Sequence, residues 1–296
     1  MNKKILLIVN PQAGKGTIRK KAPRLIKNFF KQGYDIETCY MEKKCRPTEI
    51  IQNQKGPVDL LICCGGDGTL NEVINAVMRL EKKPDISFIP FGTMNDFART
   101  LKMSTRKFFF SKKFKESKRV LCDIGEFNNM YFNYVAAFGA FTPVPYVTTQ
   151  KAKRILGKLA YFAVAFRYIF KIKTVKMEIE ANGQKIEDDF IFGSVSNSRY
   201  IGSIDWFKRG DVKLDDGKFE MMFIRKPKNA LEFIDMAIAL TFKIYSRKYF
   251  SYFQASEVII RADRNIVWTL DGEYGKRSKE MNIRNLQKRV TYVVPK

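Results

Sequence analysis

The chain has 296 residues, 45% of them hydrophobic, which suffices for two globular domains with cores of their own. Its 54 Lys and Arg outnumber 30 Asp and Glu, and a net charge of +24 attracts polyanions: nucleic acid, an anionic membrane or a phosphorylated substrate. There is no His, which excludes His triads, His general bases and His metal ligands, so any base must be a carboxylate, Lys, Cys or Tyr. The five Cys (39, 45, 63, 64 and 122) show no C-x-x-C spacing and read as free thiols of a reducing cytosol. No apolar run is long enough to span a membrane. The nearest, 155–170, is interrupted by Lys158 and Arg167.

Residues 4–9 are apolar and read as a first strand, not a signal peptide. They run into Asn10-Pro11-Gln12-Ala13-Gly14-Lys15-Gly16-Thr17, which resembles a phosphate loop without the P-loop spacing. A basic helix over 18–32, a strand over 36–41 and a short helix over 48–54 follow. Residues 58–62 are a buried strand that enters Cys63-Cys64-Gly65-Gly66-Asp67-Gly68-Thr69-Leu70-Asn71-Glu72. Leu70, Val73, Ile74, Val77 and Met78 then mark one face of a helix. The glycines therefore sit at a strand-to-helix turn, where a ligand can touch the backbone and free N–H groups favour phosphate. Thr69 and Glu72 have capping-box spacing. Asp67 would repel a bare phosphate, so Mg²⁺ or an ordered water is expected between them.

A further strand, 86–90, ends in Phe91-Gly92-Thr93-Met94-Asn95-Asp96. Three strands thus end in polar, Gly-containing loops at 10–16, 65–69 and 92–96. Strand-helix alternation predicts a parallel sheet, whose ligands bind beyond the carboxyl ends of its strands. A nucleotide site is expected there.

Residues 103–119 are basic and aromatic, consistent with either a buried helix face or a membrane-facing patch. From 120–125 onward the segments become β-like: 131–138, 175–181, 190–197, 219–224, 258–261 and 266–270. Asn182-Gly183 is a hairpin signal. A boundary near 125 divides the chain into 1–125, an α/β nucleotide domain, and 126–296, a mainly antiparallel domain. Helical insertions are expected at 150–170 and 228–248. From Phe127 to Met177 there is no Asp or Glu, while Lys and Arg alternate with Tyr and Phe. Asp211 to Lys218 is either an Asp-Gly turn or a divalent-cation loop. Asp271-Gly272-Glu273 is either a plain turn or a carboxylate pair able to act as general base.

Together these motifs resemble the catalytic domain of the diacylglycerol kinase family, of the bacterial soluble lipid kinase type. The resemblance rests on Asn10-Pro11-x-Ala13-Gly14-Lys15-Gly16, Gly65 to Glu72, Phe91-Gly92-Thr93-x-Asn95-Asp96-Phe97-Ala98, Asp123-Ile124-Gly125, Lys213 to Gly217 and Asp271-Gly272-Glu273. It spans nearly the whole chain. It implies an α/β nucleotide domain followed by a β-sandwich, the active site in the cleft between, and the last residues free to return to the first domain. It also implies transfer of the ATP γ-phosphate to a lipid hydroxyl.

Carried over by position, Asn10, Pro11, Gln12, Ala13, Gly14, Gly66, Asp67, Gly68, Thr69, Leu70, Asn71, Glu72, Thr93, Asn95 and Asp96 would hold ATP. Asp67 and Asp96 would organise Mg²⁺ and the phosphates. Lys213 and Lys218 carbonyls with the Asp216 carboxylate would bind a structural Mg²⁺. Glu273 would be the general base, supported by Asp123 and grouped with Asp271. The partner is a lipid at an anionic membrane, met peripherally from the cytoplasm through basic aromatic segments. No nucleic acid is expected, and there is room for a homodimer. Residues 201–206 and 208–210 depart from the family pattern on the acceptor side. The alternatives are a kinase of phosphatidylglycerol, sphingosine or ceramide, an NAD kinase, and a non-catalytic binder of anionic membrane or nucleic acid.

Overall fold

The computed structural model describes residues 3–42, 45–110, 114–139, 171–202, 204–208 and 210–296. Four strands build the parallel part: β1 (Lys3–Val9), β2 (Tyr34–Tyr40), β3 (Leu60–Gly65) and β4 (Asp85–Pro90). They lie in the order β4-β3-β1-β2, all parallel. β3 is buried at every position, as an apolar run covered on both faces must be.

Helix α1 (Thr17–Lys31) and α5 (Thr105–Phe110) cover one face around Phe29, Phe108 and Phe114. α2 (Pro47–Gln52) and α3 (Asp67–Val77) cover the other. The short α4 (Asp96–Thr100) lies between α3 and α5 in sequence. Phe108 is fully buried, so the aromatic stretch after residue 103 supplies a core face there. A strand, β5 (Lys118–Phe127), begins at the last two residues of the 103–119 span.

The antiparallel part is continuous with the parallel one. β6 (Met130–Phe132), β7 (Val135–Gly139), β8 (Val175–Ala181) and β9 (Gln184–Ser196) come first. A small hairpin, β10 (Tyr200–Ile201) and β11 (Ile204–Asp205), stands apart from the main sheet. β12 (Phe219–Arg225), helix α6 (Ala230–Phe242), β13 (Phe250–Ala255), β14 (Glu257–Leu270) and β15 (Glu273–Val294) complete the chain.

β7 and β8 fill one strand position end to end. β7 pairs with β9 through 192–196 and with β14 through 268–270. β8 takes the same edges at 184–190 and 259–262. β7 ends at Gly139 and β8 begins at Val175, and the insertion expected at 150–170 lies outside the described residues. The second insertion is α6. The Asn182-Gly183 turn closes β8 onto β9, with both residues at positive φ as the hairpin signal requires.

β15 joins the two parts. Its first half pairs with β14, its second half with β5, and Tyr292 pairs with Ile86 of β4. β5 runs unbroken through residue 125, and the largest core cluster draws on both sides of that position. A second core, with Trp268, Phe132, Phe138 and Phe219, lies within the antiparallel strands. The observed architecture is thus a mixed α/β fold with an extensive antiparallel sheet.

Candidate active site

The carboxyl ends of β1, β3 and β4 bring the three polar loops together. Asn10 donates through Nδ2 to the Thr69 hydroxyl at 2.9 Å, and its Oδ1 accepts from the Gln12 N–H at 3.0 Å. Its own N–H donates to the Cys64 carbonyl. The Phe91 N–H donates to the Gly65 carbonyl at 2.7 Å. Gly66 and Gly92 meet backbone to backbone: a Cβ built on Gly92 would lie 2.7 Å from the Gly66 Cα. No side chain fits there. Asn95, at φ 53°, starts α4 and exchanges hydrogen bonds with the Gly92 N–H and carbonyl.

α3 begins at Asp67 with Gly66 as its N-cap and has no side-chain cap. The capping box expected of Thr69 and Glu72 does not form. Thr69 is already the third helical residue and is engaged by Asn10, while Glu72 pairs with Arg46. The first N–H groups of this helix remain for a ligand. Leu70 is turned into the core, so only its backbone could meet one. Pro11, Gln12, Ala13, Gly14 and Thr93 lie on the rim of the same loops and are half-buried or exposed.

Asp67 accepts backbone N–H groups from Asn95 and Asp96, which ties the β3 turn to the β4 turn. Its Oδ1 is buried without a partner. Burial pushes its carboxyl up to about 7, and the charges of Asp96 and Asp271 push in the same direction. Asp96 is fully buried. The next residue, Phe97, packs on Tyr292 at 5.0 Å and Tyr134 at 6.1 Å, which seats α4 against β15.

The Asp271-Gly272-Glu273 turn between β14 and β15 reaches the same loops from the antiparallel side. The Asp271 carboxylate accepts five hydrogen bonds, from the Asn133, Tyr134 and Val135 N–H groups and from Asn133 Nδ2 and Asn71 Nδ2. Asn71 belongs to α3, so this buried carboxylate links the two motifs directly. Glu273 is exposed and lies over Gly68: a Cβ on Gly68 would stand 2.0 Å from its Oε1. A side chain at this position would push the end of the flexible Glu273 side chain aside.

Asp123 lies elsewhere. Its carboxylate accepts from the Gly217 N–H and the Lys288 N–H, each at 2.7 Å, and its own N–H donates to the Leu214 carbonyl. It therefore clamps the 213–218 turn to a bulge in β15, and its carbonyl accepts from Asn197 Nδ2 at 3.3 Å. In that turn Asp216 Oδ1 accepts the Lys218 N–H at 3.1 Å, and Gln287 donates to the Asp215 carbonyl. Glu220, just beyond, is buried with Oε2 unpartnered, and burial with the nearby Asp216 and Asp211 pushes it up to about 8. Among the described residues no group of three or more Cys, Asp or Glu side chains is arranged to hold a metal.

Asn133 and Arg46 escaped the sequence reading. Asn133 is a buried polar residue inside an apolar β segment, and that mismatch was its only signal. Arg46 precedes Pro47 at a helix start and gave no sign of its partner in α3.

The family model described as "Diacylglycerol kinase catalytic domain" matches residues 4–126. A diacylglycerol kinase of Staphylococcus saprophyticus is 30% identical over 296 residues, covering 100% of this chain and 96% of the relative. One of Bacillus subtilis strain 168 is 29% identical, over 99% of this chain and 97% of the relative. A crystal structure of a diacylglycerol kinase from Bacillus anthracis strain Sterne superposes with a TM-score of 0.77 at 25% identity, covering 99% and 97% of the two chains. The chain belongs to the diacylglycerol kinase family, and is a phosphotransferase with an alcohol acceptor and the ATP use that a kinase family implies.

Proposed function

We propose that this protein transfers the γ-phosphate of ATP to the hydroxyl of diacylglycerol, giving phosphatidic acid, in a Mg²⁺-dependent reaction at the cytoplasmic face of the membrane. The observation that carries this reading is the exposed Glu273 carboxylate lying against Gly68 of the nucleotide turn. It puts the one unencumbered carboxylate of the two motifs beside the loop where a terminal phosphate would lie.

The loops of 10–14, 66–72 and 92–96 would hold the nucleotide through backbone N–H groups, as the close Gly66 to Gly92 packing and the uncapped start of α3 allow. Asp67 and Asp96 fit a divalent cation, because Asp67 Oδ1 is orphaned and its neighbours repel it. A second Mg²⁺ is assigned to the Lys213 and Lys218 carbonyls with Asp216. Its support is the crowding of Asp211, Asp216 and the orphaned Glu220 oxygen around a turn that Asp123 fixes.

Glu273 accepts the proton of the acceptor hydroxyl. Asp271 holds Asn71 and the turn that carries Glu273 through its five hydrogen bonds rather than touching the reacting atoms. Asp123 supports the site at a distance, by holding the 213–218 turn. Bound Mg²⁺-ATP supplies the phosphoryl group and neutralises charge that builds on its oxygens.

The division at 125 is kept in functional terms, with a nucleotide side and an acceptor side that β15 joins at its end. The bilayer, not nucleic acid, is the macromolecular partner, and a homodimer is compatible with this. No helix among the described residues is long and apolar enough to cross a membrane. The β10–β11 hairpin, where the chain departs from the family pattern, is seated on α4 by Arg99 over Tyr200 at 4.5 Å and by Thr100 against Ser198 at 2.6 Å. A different lipid alcohol is therefore the second reading.

The test is phosphate transfer from Mg²⁺-ATP into mixed micelles that each carry one lipid alcohol. Label in phosphatidic acid supports the first reading, and label in another lipid moves the acceptor. Absence of nucleotide binding would remove both.

A further inference from the structure

Helix α6 is apolar on two opposite faces. Phe233, Met236 and Ala239 are buried against the sheet. Leu231, Ile234, Ile238 and Phe242 follow at helical spacing on the other side, 78%, 53%, 49% and 67% exposed. Ile244 extends the stripe just past the helix end. Five of the twelve large apolar side chains exposed among the described residues thus lie along this one element. A scatter of single exposed residues needs no explanation, but a continuous stripe marks a surface that something covers.

The charge around the stripe decides what covers it. Residues 226–248 carry Lys226, Lys228, Lys243, Arg247 and Lys248 against only Glu232 and Asp235. Both acids are matched, Glu232 by Lys248 at 2.7 Å and Asp235 by Arg247 at 3.9 Å. An apolar stripe with a surplus of cations complements an anionic lipid surface. The stripe also connects to the proposed site. Lys243, at the end of α6, donates to Asp205 of the β10–β11 hairpin and to the Phe207 carbonyl, both at 2.7 Å. That hairpin carries a further exposed residue, Ile204, and its other strand packs on α4, which begins at Asp96.

We infer that the exposed face of α6, with Ile204 beside its end, is the surface that docks this protein on an anionic bilayer. Leu231, Ile234, Ile238 and Phe242 enter the acyl boundary while the net positive charge of residues 226–248 draws the helix toward lipid phosphates. The inference rests on the lipid kinase reading and names the surface through which that site would reach its substrate.

The test compares wild type with the double variant Ile238→Glu/Phe242→Glu. Binding is measured to vesicles of phosphatidylcholine with phosphatidylglycerol and to vesicles of phosphatidylcholine alone. Phosphate transfer to a short-chain, water-dispersed diacylglycerol is measured in parallel. The expected result is a fall of ~10-fold or more in partitioning to the anionic vesicles, with short-chain transfer unchanged. Unchanged vesicle binding with short-chain transfer intact overturns the docking surface and leaves the kinase reading standing. Lost vesicle binding in the variant, with no transfer to any lipid by wild type, supports the docking surface and overturns that reading. A wild-type dimer that the variant splits while vesicle binding persists makes the stripe an interface between copies and overturns the proposal. Should the double variant not fold, Ile238→Trp reads the same surface. Its emission should be quenched by brominated chains in the anionic vesicles, and absence of quenching overturns the proposal.

Discussion

Two acidic turns meet in this molecule, and their carboxylates are treated in opposite ways. Asp271 is wholly buried and collects five N–H donors. Asp67 is mostly buried, keeps Oδ1 without a partner and lies near two other carboxylates. Burial raises the carboxyl of both, but Asp271 has five donors against it while Asp67 has only the Asn95 and Asp96 N–H groups. The first arrangement holds a fold together. The second costs stability until a ligand arrives, as functional sites commonly do. Glu273 is a third case, exposed and placed by Gly68 rather than by hydrogen bonds.

Removing the charge of Glu273 gives the largest expected effect. Glu273→Gln should lower phosphate transfer by roughly 10²–10⁴, the range of a general base, and leave nucleotide binding unchanged in a titration. Turnover at the wild-type rate would take Glu273 out of its role. Asp271→Asn comes next. The amide can accept at only one of the two oxygen positions and presents an NH₂ to donors at the other. Urea unfolding should show a loss of about 2–4 kcal/mol, and a loss under about 0.5 kcal/mol would mean that the network is not structural.

Protonation sharpens the contrast. The native carboxyls of Asp67 and Glu220, raised to about 7 and about 8, hold protons that the unfolded chain releases near pH 4 to 5. More protons are then bound in the native state, so stability falls as pH rises through that window. Without divalent cations, denaturant midpoints should show a gain of roughly 1–3 kcal/mol between pH 8 and pH 6. A flat profile would show that the two groups ionise freely. Gly68→Ala is the smallest effect. The new methyl displaces the Glu273 carboxylate, and turnover should drop by roughly 10-fold while the melting temperature barely moves. Unaltered turnover would mean that this contact does not set the position of the base.

The sequence showed most clearly what depends on neighbours in the chain. The strand, glycine turn and helix around Asp67 are legible because the apolar period and the glycines are local, and so is the Asn182-Gly183 hairpin. The split strand position of β7 and β8 and the return of β15 beside β4 are ladders between distant segments, which no local pattern encodes. Asp271 was visible as an acid after a strand. Its partners Asn71 and Asn133 lie 200 and 138 positions away, so its structural role was not. Asp123 was assigned to support Glu273, yet its carboxylate is spent on the Gly217 and Lys288 N–H groups. Local spacing also pointed to a capping box at Thr69 and Glu72, which Asn10 and Arg46 override from other elements.

The most direct test of the central contrast is the unfolding free energy of ligand-free Asp67→Asn. If Asp67 is a carboxylate held ready for a cation at the site's expense, the neutral amide should stabilise the ligand-free protein by roughly 1–3 kcal/mol and abolish most phosphate transfer. A destabilised variant that retains transfer would make Asp67 a structural acid like Asp271, and the reading of this turn as the cation and phosphate site would fail.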